Sequence, residues 1–227
     1  MKKSNLAAMD DVQRYLCGIL FFAFLLLLPD AGAQEDALSR GAIILAEKTD
    51  PVSFVDENGV PLGAGMTVSG GLLPEGTVVE TGAGGSALLL LSNGTIVTVD
   101  ADTKMKVASF VQESFEDKGM SVGELKEEPS SSSVLVDLEV GSLVVKTKKL
   151  NKKSNFEISS PVGTAGIRGT QFGMGFTPKR GMSLDVTEST VSFQPRGGGR
   201  VRMVPAGRGL TAPPKGPPTQ RPLNPVA

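Results

Sequence analysis

Period two dominates this chain. Between Gly41 and about Pro205, runs such as "TVVET" (77–81), "TIVTVD" (95–100), "KMKVASF", "VLVDLEV", "NFEIS", "MSLDVTE" and "TVSFQ" mostly alternate apolar with polar residues. Successive side chains of a strand point to opposite faces, so this spacing predicts strands with one buried face. Turn signals divide the runs: Gly82-Ala83-Gly84-Gly85, Asn93-Gly94 with apolar residues on both sides, and Asn58-Gly59 earlier. Asn-Gly pairs in that setting are the strongest short-range hairpin signal. The run "ALLLL" (87–91) does not alternate and is expected to be buried on both sides. No stretch after residue 33 carries a helical pattern. The chain therefore reads as all-β, a single domain over 41–205 built as a β-solenoid-like or twisted β-sandwich arrangement of short strands.

Three segments fall outside that pattern. At the start, Lys2, Lys3 and Arg14 precede the apolar run Leu16–Leu28, and Ala31-Gly32-Ala33 follows as a small-x-small site. That order describes a secretory signal peptide, residues 1–33, cleaved after Ala33. A spanning helix needs about 20 apolar residues, and this run ends at Pro29-Asp30. An uncleaved anchor is the alternative. Residues 112–133 are polar, acidic in patches and end in four serines, which suits a solvated insertion. Residues 206–227 form a Pro-rich tail expected to be disordered, a spacer or docking peptide.

Cleavage would strip the chemistry further. The only Cys (Cys17) and the only Tyr (Tyr15) precede residue 33, and the whole chain has no His and no Trp. Disulfides, zinc sites, thiolate nucleophiles and Ser-His-Asp triads then lack their obligatory residues. The remaining 20 Lys+Arg balance 21 Asp+Glu, which gives no electrostatic reason to expect nucleic acid. No cofactor is implied.

One stretch invites a functional reading: "SSPVGTAGIRGTQFGMGF" (159–176), with glycines at 163, 166, 169, 173 and 175 around Arg168. A Walker loop needs G-x-x-x-x-G-K-[ST], but no lysine occurs between Lys153 and Lys179. A dinucleotide fingerprint leads into a helix, whereas "TQFGMGFTP" is β-like. Strand glycines instead mark bulges, bends or close backbone approach. Among acids, Asp100 and Asp102 share a face at strand spacing, and Glu116-Asp117 and Glu127-Glu128 sit in the insertion. A carboxylate-based hydrolase needs only two such groups. No aromatic frames these, and solvated turn acids are the simpler account. "KTKKLNKK" (146–153) reads as an edge strand and turn whose lysines block aggregation, with a phosphate or membrane-surface patch as the alternative.

The stretch "LEVGSLVVKTKKLNKKSNFEISSPVGTAGIRGTQFGMGF" resembles the central signature of FecR-type domains. Pro161, Val162, Ala165, Gly166, Arg168, Gly169, Thr170 and Phe172 carry the match. "ETGAGGSALLLLSNGTIVTVDADTKM" resembles the earlier block of that family, and together the two cover about 75–194. The resemblance implies an all-β module working outside the cytoplasm, in the periplasm or cell envelope of a Gram-negative-type bacterium. Signalling members relay the state of an outer-membrane receptor to a sigma factor, and no catalytic residue belongs to the pattern. Here only about 15 residues precede the apolar run, without the cytoplasmic sigma-binding domain of those members. The expected function is thus a non-enzymatic binding or signalling module for an envelope protein or glycan. A structural or adhesive envelope protein is the alternative. Arg168 is expected to act as a buried clamp against backbone carbonyls or a carboxylate, or else to contact a partner.

Overall fold

The computed structural model describes residues 39–116, 124–169 and 171–223; the expected signal peptide lies outside them. The described strands fall into two sheets. Sheet A holds β1 (Ser39–Arg40), β3 (Val52–Val55), β5 (Val78–Thr81), β8 (Lys104–Gln112), the first part of β9 (Ser132–Lys146), β10 (Asn155–Ser160), β11 (Gly163–Ile167), β14 (Thr190–Pro195) and β15 (Arg202–Pro205). Sheet B holds β2 (Ile43–Thr49), β4 (Gly71–Leu73), β6 (Ser86–Leu91), β7 (Ile96–Val99), the second part of β9, β12 (Gln171–Thr177), β13 (Gly181–Val186), β16 (Arg208–Ala212) and β17 (Thr219–Pro222). All these pairings are antiparallel except β9–β10. The protein is all-β, and the antiparallel ladders around one shared core fit the sandwich rather than the solenoid alternative.

The alternation seen in the sequence explains the packing. Along β6 and β12 every second side chain is buried, β8 and β9 keep the alternation on either side of a break, and β14 keeps it as far as Phe193; the buried apolar residues from both sheets form one cluster. Leu45, Leu89, Val97, Phe110, Val136, Leu143, Ile158 and Phe193 are all fully enclosed in it. Burying such side chains stabilises the fold by about 1.5–3 kcal/mol each. "ALLLL" departs from expectation: Ala87, Leu89 and Leu91 point inward, while Leu88 and Leu90 are only partly covered on the outer face of sheet B.

Strand β9 joins the two sheets. Its residues up to Val140 pair with β8 in sheet A, and from Gly141 onward it pairs with β7 and β12 in sheet B. The sequence shows "VLVDLEV" and "SLVVKTKKL" as separate runs, but the structure has one strand that changes sheets at Gly141. That residue has φ +99°, and a Cβ on it would lie 2.2 Å from Thr103 Oγ1 and 2.4 Å from Thr103 Cα. Only glycine fits such a corner. Segment 147–154 then links β9 in sheet B to β10 in sheet A, so "KTKKLNKK" connects two central strands. The expected edge strand is absent because both its neighbours are flanked by further strands.

The end of the chain also differs. Where a disordered tail was expected from 206, β16 pairs with β13 and β17 with β16. Leu210 and Ala212 enter the core, which offsets the cost of ordering a Pro-rich segment. Residues 224–227 lie outside the described ones.

Candidate functional site

The signature stretch spans two strands and both sheets. Ala165 in β11 and Phe172 in β12 are buried, Val162 packs partly against the core, and Pro161 is exposed. A Cβ on Gly166 would lie 2.7 Å from Ser192 Oγ, and Gly169 turns the chain between sheets with φ +77°. These two glycines meet the expectation of close approach and bending. Thr170 lies outside the described residues. Arg168 corrects the clamp expectation: it is exposed, and its Nη1 donates one hydrogen bond of 3.3 Å to Lys152 O. A backbone carbonyl is indeed its partner, but a guanidinium in water has no burial cost to offset.

The arginine that clamps is Arg221, in the segment expected to be disordered. Its side chain runs back from β17 across β16 to β13, along the register row Asp185–Gly209–Arg221. Gly209 makes room, since a Cβ there would lie 2.2 Å from Arg221 Nη1. Nη1 donates to Asp185 Oδ1 and Nη2 to Asp185 Oδ2, both at 2.6 Å. Nη2 also donates to Ser183 Oγ at 2.7 Å, Nη1 to Pro222 O at 2.9 Å and Nε to Thr211 Oγ1 at 3.1 Å. All five donors of the guanidinium are thereby used. The hydrogen bonds it donates to Asp185 raise the Arg221 pKa above its ordinary value, with burial opposing. Nothing in the local sequence marks this pair, because its members lie 36 residues apart.

The outer faces of the two sheets differ sharply in chemistry. On sheet A, Lys104 pairs with Glu139 at 3.1 Å and Lys106 with Asp137 at 3.7 Å, with Glu80 and Glu157 nearby on the same face. That is an ordinary solvated surface. On sheet B, one register row runs Leu72–Ile44–Leu90–Ile96 across four strands, ending at Lys146. The next row carries Leu88, Thr98 and Val144. Leu72 is 61% exposed and Val144 41% exposed. Beyond Val144 the apolar row opens into a trough of about 850 Å³ over β12, walled by Ser142 and Val144 on β9 and by Ser183, Asp185 and Arg221 on the far side. Asp100, held by a 2.8 Å hydrogen bond from Ser142 Oγ, closes one side.

The acids weighed as catalytic partners are separated in role. Asp100 and Asp102 both border the trough, Asp102 in a turn with φ +53°. Glu128 is buried in the fold, where it accepts hydrogen bonds from Ser132 Oγ, from Ser154 Oγ at 2.6 Å and from Asn151 N at 2.7 Å. Glu127 pairs with Lys149 on the surface. Asp50 and Asp56, whose proton affinity departs from the ordinary, are both shifted down, by Lys48 and by backbone N–H groups led by that of Val60 respectively. A general acid needs the opposite shift.

Comparison with known proteins bears directly on this arrangement. The profile of the FecR protein family matches residues 77–192, from β5 to the middle of β14. The chain belongs to the FecR family. FecR proteins are membrane-associated regulators with a periplasmic domain. The matched span includes β9, the signature stretch and most of the trough, but stops before β16 and β17, which carry Arg221. Two crystal structures of a candidate anti-sigma factor from Parabacteroides distasonis ATCC 8503 are similar to this FecR chain at 14% and 13% identity, with a TM-score of 0.49. The similarity covers 65% of this chain and 60% of that protein's length. No curated protein matches the sequence.

Proposed function

We propose that this FecR protein is a non-enzymatic, extracytoplasmic module that serves envelope signalling by binding a protein partner through the outer face of sheet B. The observation that carries the reading is the contrast between the two faces: sheet A is dressed with ion pairs, whereas sheet B presents Leu72, Ile44, Leu90, Ile96, Leu88 and Val144 side by side. Leu72 and Val144 are exposed and Ile44, Leu88, Leu90 and Ile96 half-buried, and outward apolar surface of this kind marks interaction sites. An apolar centre with polar margins is also the ordinary anatomy of a protein interface. Here Lys146, Asp185, Arg221 and Asp100 supply the margins.

Export rests on the residue 1–33 pattern of basic start, apolar run and small-x-small site. Among the described residues, no helix is long and apolar enough to cross a membrane. Of the signature residues, Gly169 and Phe172 then shape the crossing from β11 to β12 that positions the trough, while Pro161 and Val162 turn the chain from β10 into β11, which Ala165 and Gly166 pack in place. Charge placed on the face tests the reading. Leu88→Glu and Val144→Glu are expected to abolish co-purification of the envelope partner while the fold is retained. Lys106→Glu on sheet A is expected to leave it unchanged, and loss of the partner only with the sheet A variant would overturn the assignment.

A further inference from the structure

Among the described residues, the lysines on strands pair with acids, with one exception. Lys48 in β2 pairs with Asp50, and Lys104 and Lys106 in β8 pair with Glu139 and Asp137. Lys146 at the end of β9 has no acidic partner there, and it closes the outward row Leu72–Ile44–Leu90–Ile96 of sheet B. Other cations gather beside it. The stem of Lys148 crosses the tip of the β6–β7 hairpin, where a Cβ on Gly94 would lie 2.6 Å from Lys148 Cγ. Gly169, in the turn into β12, packs on the same segment, since a Cβ there would lie 3.0 Å from Lys149 Cα. That contact brings up Arg168, whose Nη1 donates to Lys152 O at 3.3 Å, and Gln171 at the start of β12 pairs in register with Lys146.

Negative charge at this end is sparse. Glu124 and Glu127 belong to the insertion, and Glu127 takes Lys149 at 3.1 Å. Glu128 is buried among hydroxyl and amide donors, and Glu188 donates its N–H to Gln171 O. Lys146, Lys152, Lys153 and Arg168 are exposed and have no acidic partner among the described residues. Cations gathered in this way attract opposite charge and repel like charge. Because Lys146 both closes the apolar row and opens the basic end, the two form one continuous surface. A partner lying on the row therefore carries its own charges onto these cations, where only acids are favourable. The planar fork of Arg168 suits a carboxylate in particular. The other margins of the face carry Glu47, beside Leu88, and Asp100. Basic charge at one end, with acids elsewhere around the face, fits a protein segment of fixed direction better than an anionic membrane.

We infer that the partner segment received by sheet B's outer face carries a cluster of Asp or Glu side chains next to its apolar ones, the acids seated on Lys146, Lys152 and Arg168. The inference rests on that face being the interface. The acids steer the encounter and fix which way the segment lies, and the apolar row holds it once docked.

Surface-plasmon kinetics on the full chain test this with a synthetic peptide of consecutive glutamates followed by alternating leucine and threonine. Its twin carries lysines in place of the glutamates. The glutamate peptide is expected to bind about tenfold more tightly than the lysine one, an advantage that high salt removes. Lys146→Glu/Arg168→Glu is expected to slow its association about tenfold with little change in dissociation, and Leu88→Glu to speed its dissociation. Both variants are expected to keep the wild-type melting temperature. Lys152→Glu alone is expected to act in the same direction, which keeps the test open should the pair unfold. Phosphatidylcholine–phosphatidylglycerol vesicles are expected to take up the wild-type and Lys146→Glu/Arg168→Glu chains equally. Equal affinity for the two peptides, binding of neither, normal association in the folded charge variants, or vesicle uptake that falls with the charge reversal would each overturn the inference. If Leu88→Glu speeds dissociation while the charge variants associate normally, the acidic cluster is wrong and the interface stands. Unchanged dissociation in Leu88→Glu removes the interface itself.

Discussion

At the scale of single residues, two arginines exchange the roles their contexts suggest. Arg168 sits in a glycine-rich signature and has one long hydrogen bond to Lys152 O at the surface. Arg221 sits among prolines and uses every donor it has. Local sequence shows neither fact, because exposure and pairing depend on strands brought together from distant parts of the chain. Arg221→Ala is therefore expected to destabilise the fold by about 1–3 kcal/mol, the range for hydrogen bonds to charged groups. Arg168→Ala is expected to stay within about 0.5 kcal/mol of wild type, as exposed substitutions do. Denaturant unfolding of both variants checks the contrast, and a larger loss for Arg168→Ala would reverse it. Asp56 supplies a pH-dependent case. Its carboxylate accepts 2.8 Å hydrogen bonds from the N–H groups of Asn58 and Val60, and these lower its pKa below 3.8. A lowered folded pKa means that the stabilisation is present above the unfolded value and is lost as pH falls through the folded one. Protection of the Asn58 and Val60 amides, relative to their intrinsic exchange rate at each pH, is expected to fall only below about pH 4, the ordinary range of an aspartate.

At the scale of elements, strand existence is legible from alternation, and strand connection is not. The sequence shows β7, β8, β10, β13 and β14 as period-two runs, since each has one face in the core. It splits β9 into "VLVDLEV" and "SLVVKTKKL", because the alternation changes phase at Gly141, a corner within one strand. It misses β16 and β17, whose short "RGLTA" and "TQRP" runs are held by the β13 ladder and the Asp185–Arg221 pair rather than by alternation. "ALLLL" misleads in the other direction: Leu88 and Leu90 read as core but lie on the outer face of sheet B, since composition alone does not say which face a leucine takes. Gly141→Ala is expected to cost more than about 2 kcal/mol, combining strain at positive φ with the clash on Thr103. A thermal melt indistinguishable from wild type would show that β9 does not turn there. Glu128 fastens the end of the 112–133 insertion to the connection after β9, through Ser132, Asn151 and Ser154. Removing it leaves buried donors without an acceptor, and each such group costs about 1–3 kcal/mol. In Glu128→Ala the amide of Asn151 is expected to lose exchange protection, while that of Leu89 in β6 keeps it.

At the scale of the whole molecule, a FecR domain emerges with two unlike sides. The sheet A side carries Lys104–Glu139 and Lys106–Asp137 and suits water. The sheet B side carries an apolar row, a glycine-floored trough and a fixed guanidinium, and suits a partner. The fold class and the family were legible in the sequence, because alternation and the signature blocks are local. The site was legible only in part: its glycines were visible as a motif, but their outward placement depends on which face of β12 meets the core. Site-specific photo-crosslinking in living cells tests the division most directly, with the reactive group placed at Val144 on sheet B and at Lys106 on sheet A. A discrete protein adduct from Val144 and none from Lys106 is the predicted result. An adduct from Lys106 alone, or from neither position, would contradict sheet B's outer face as the place where this FecR protein meets its partner.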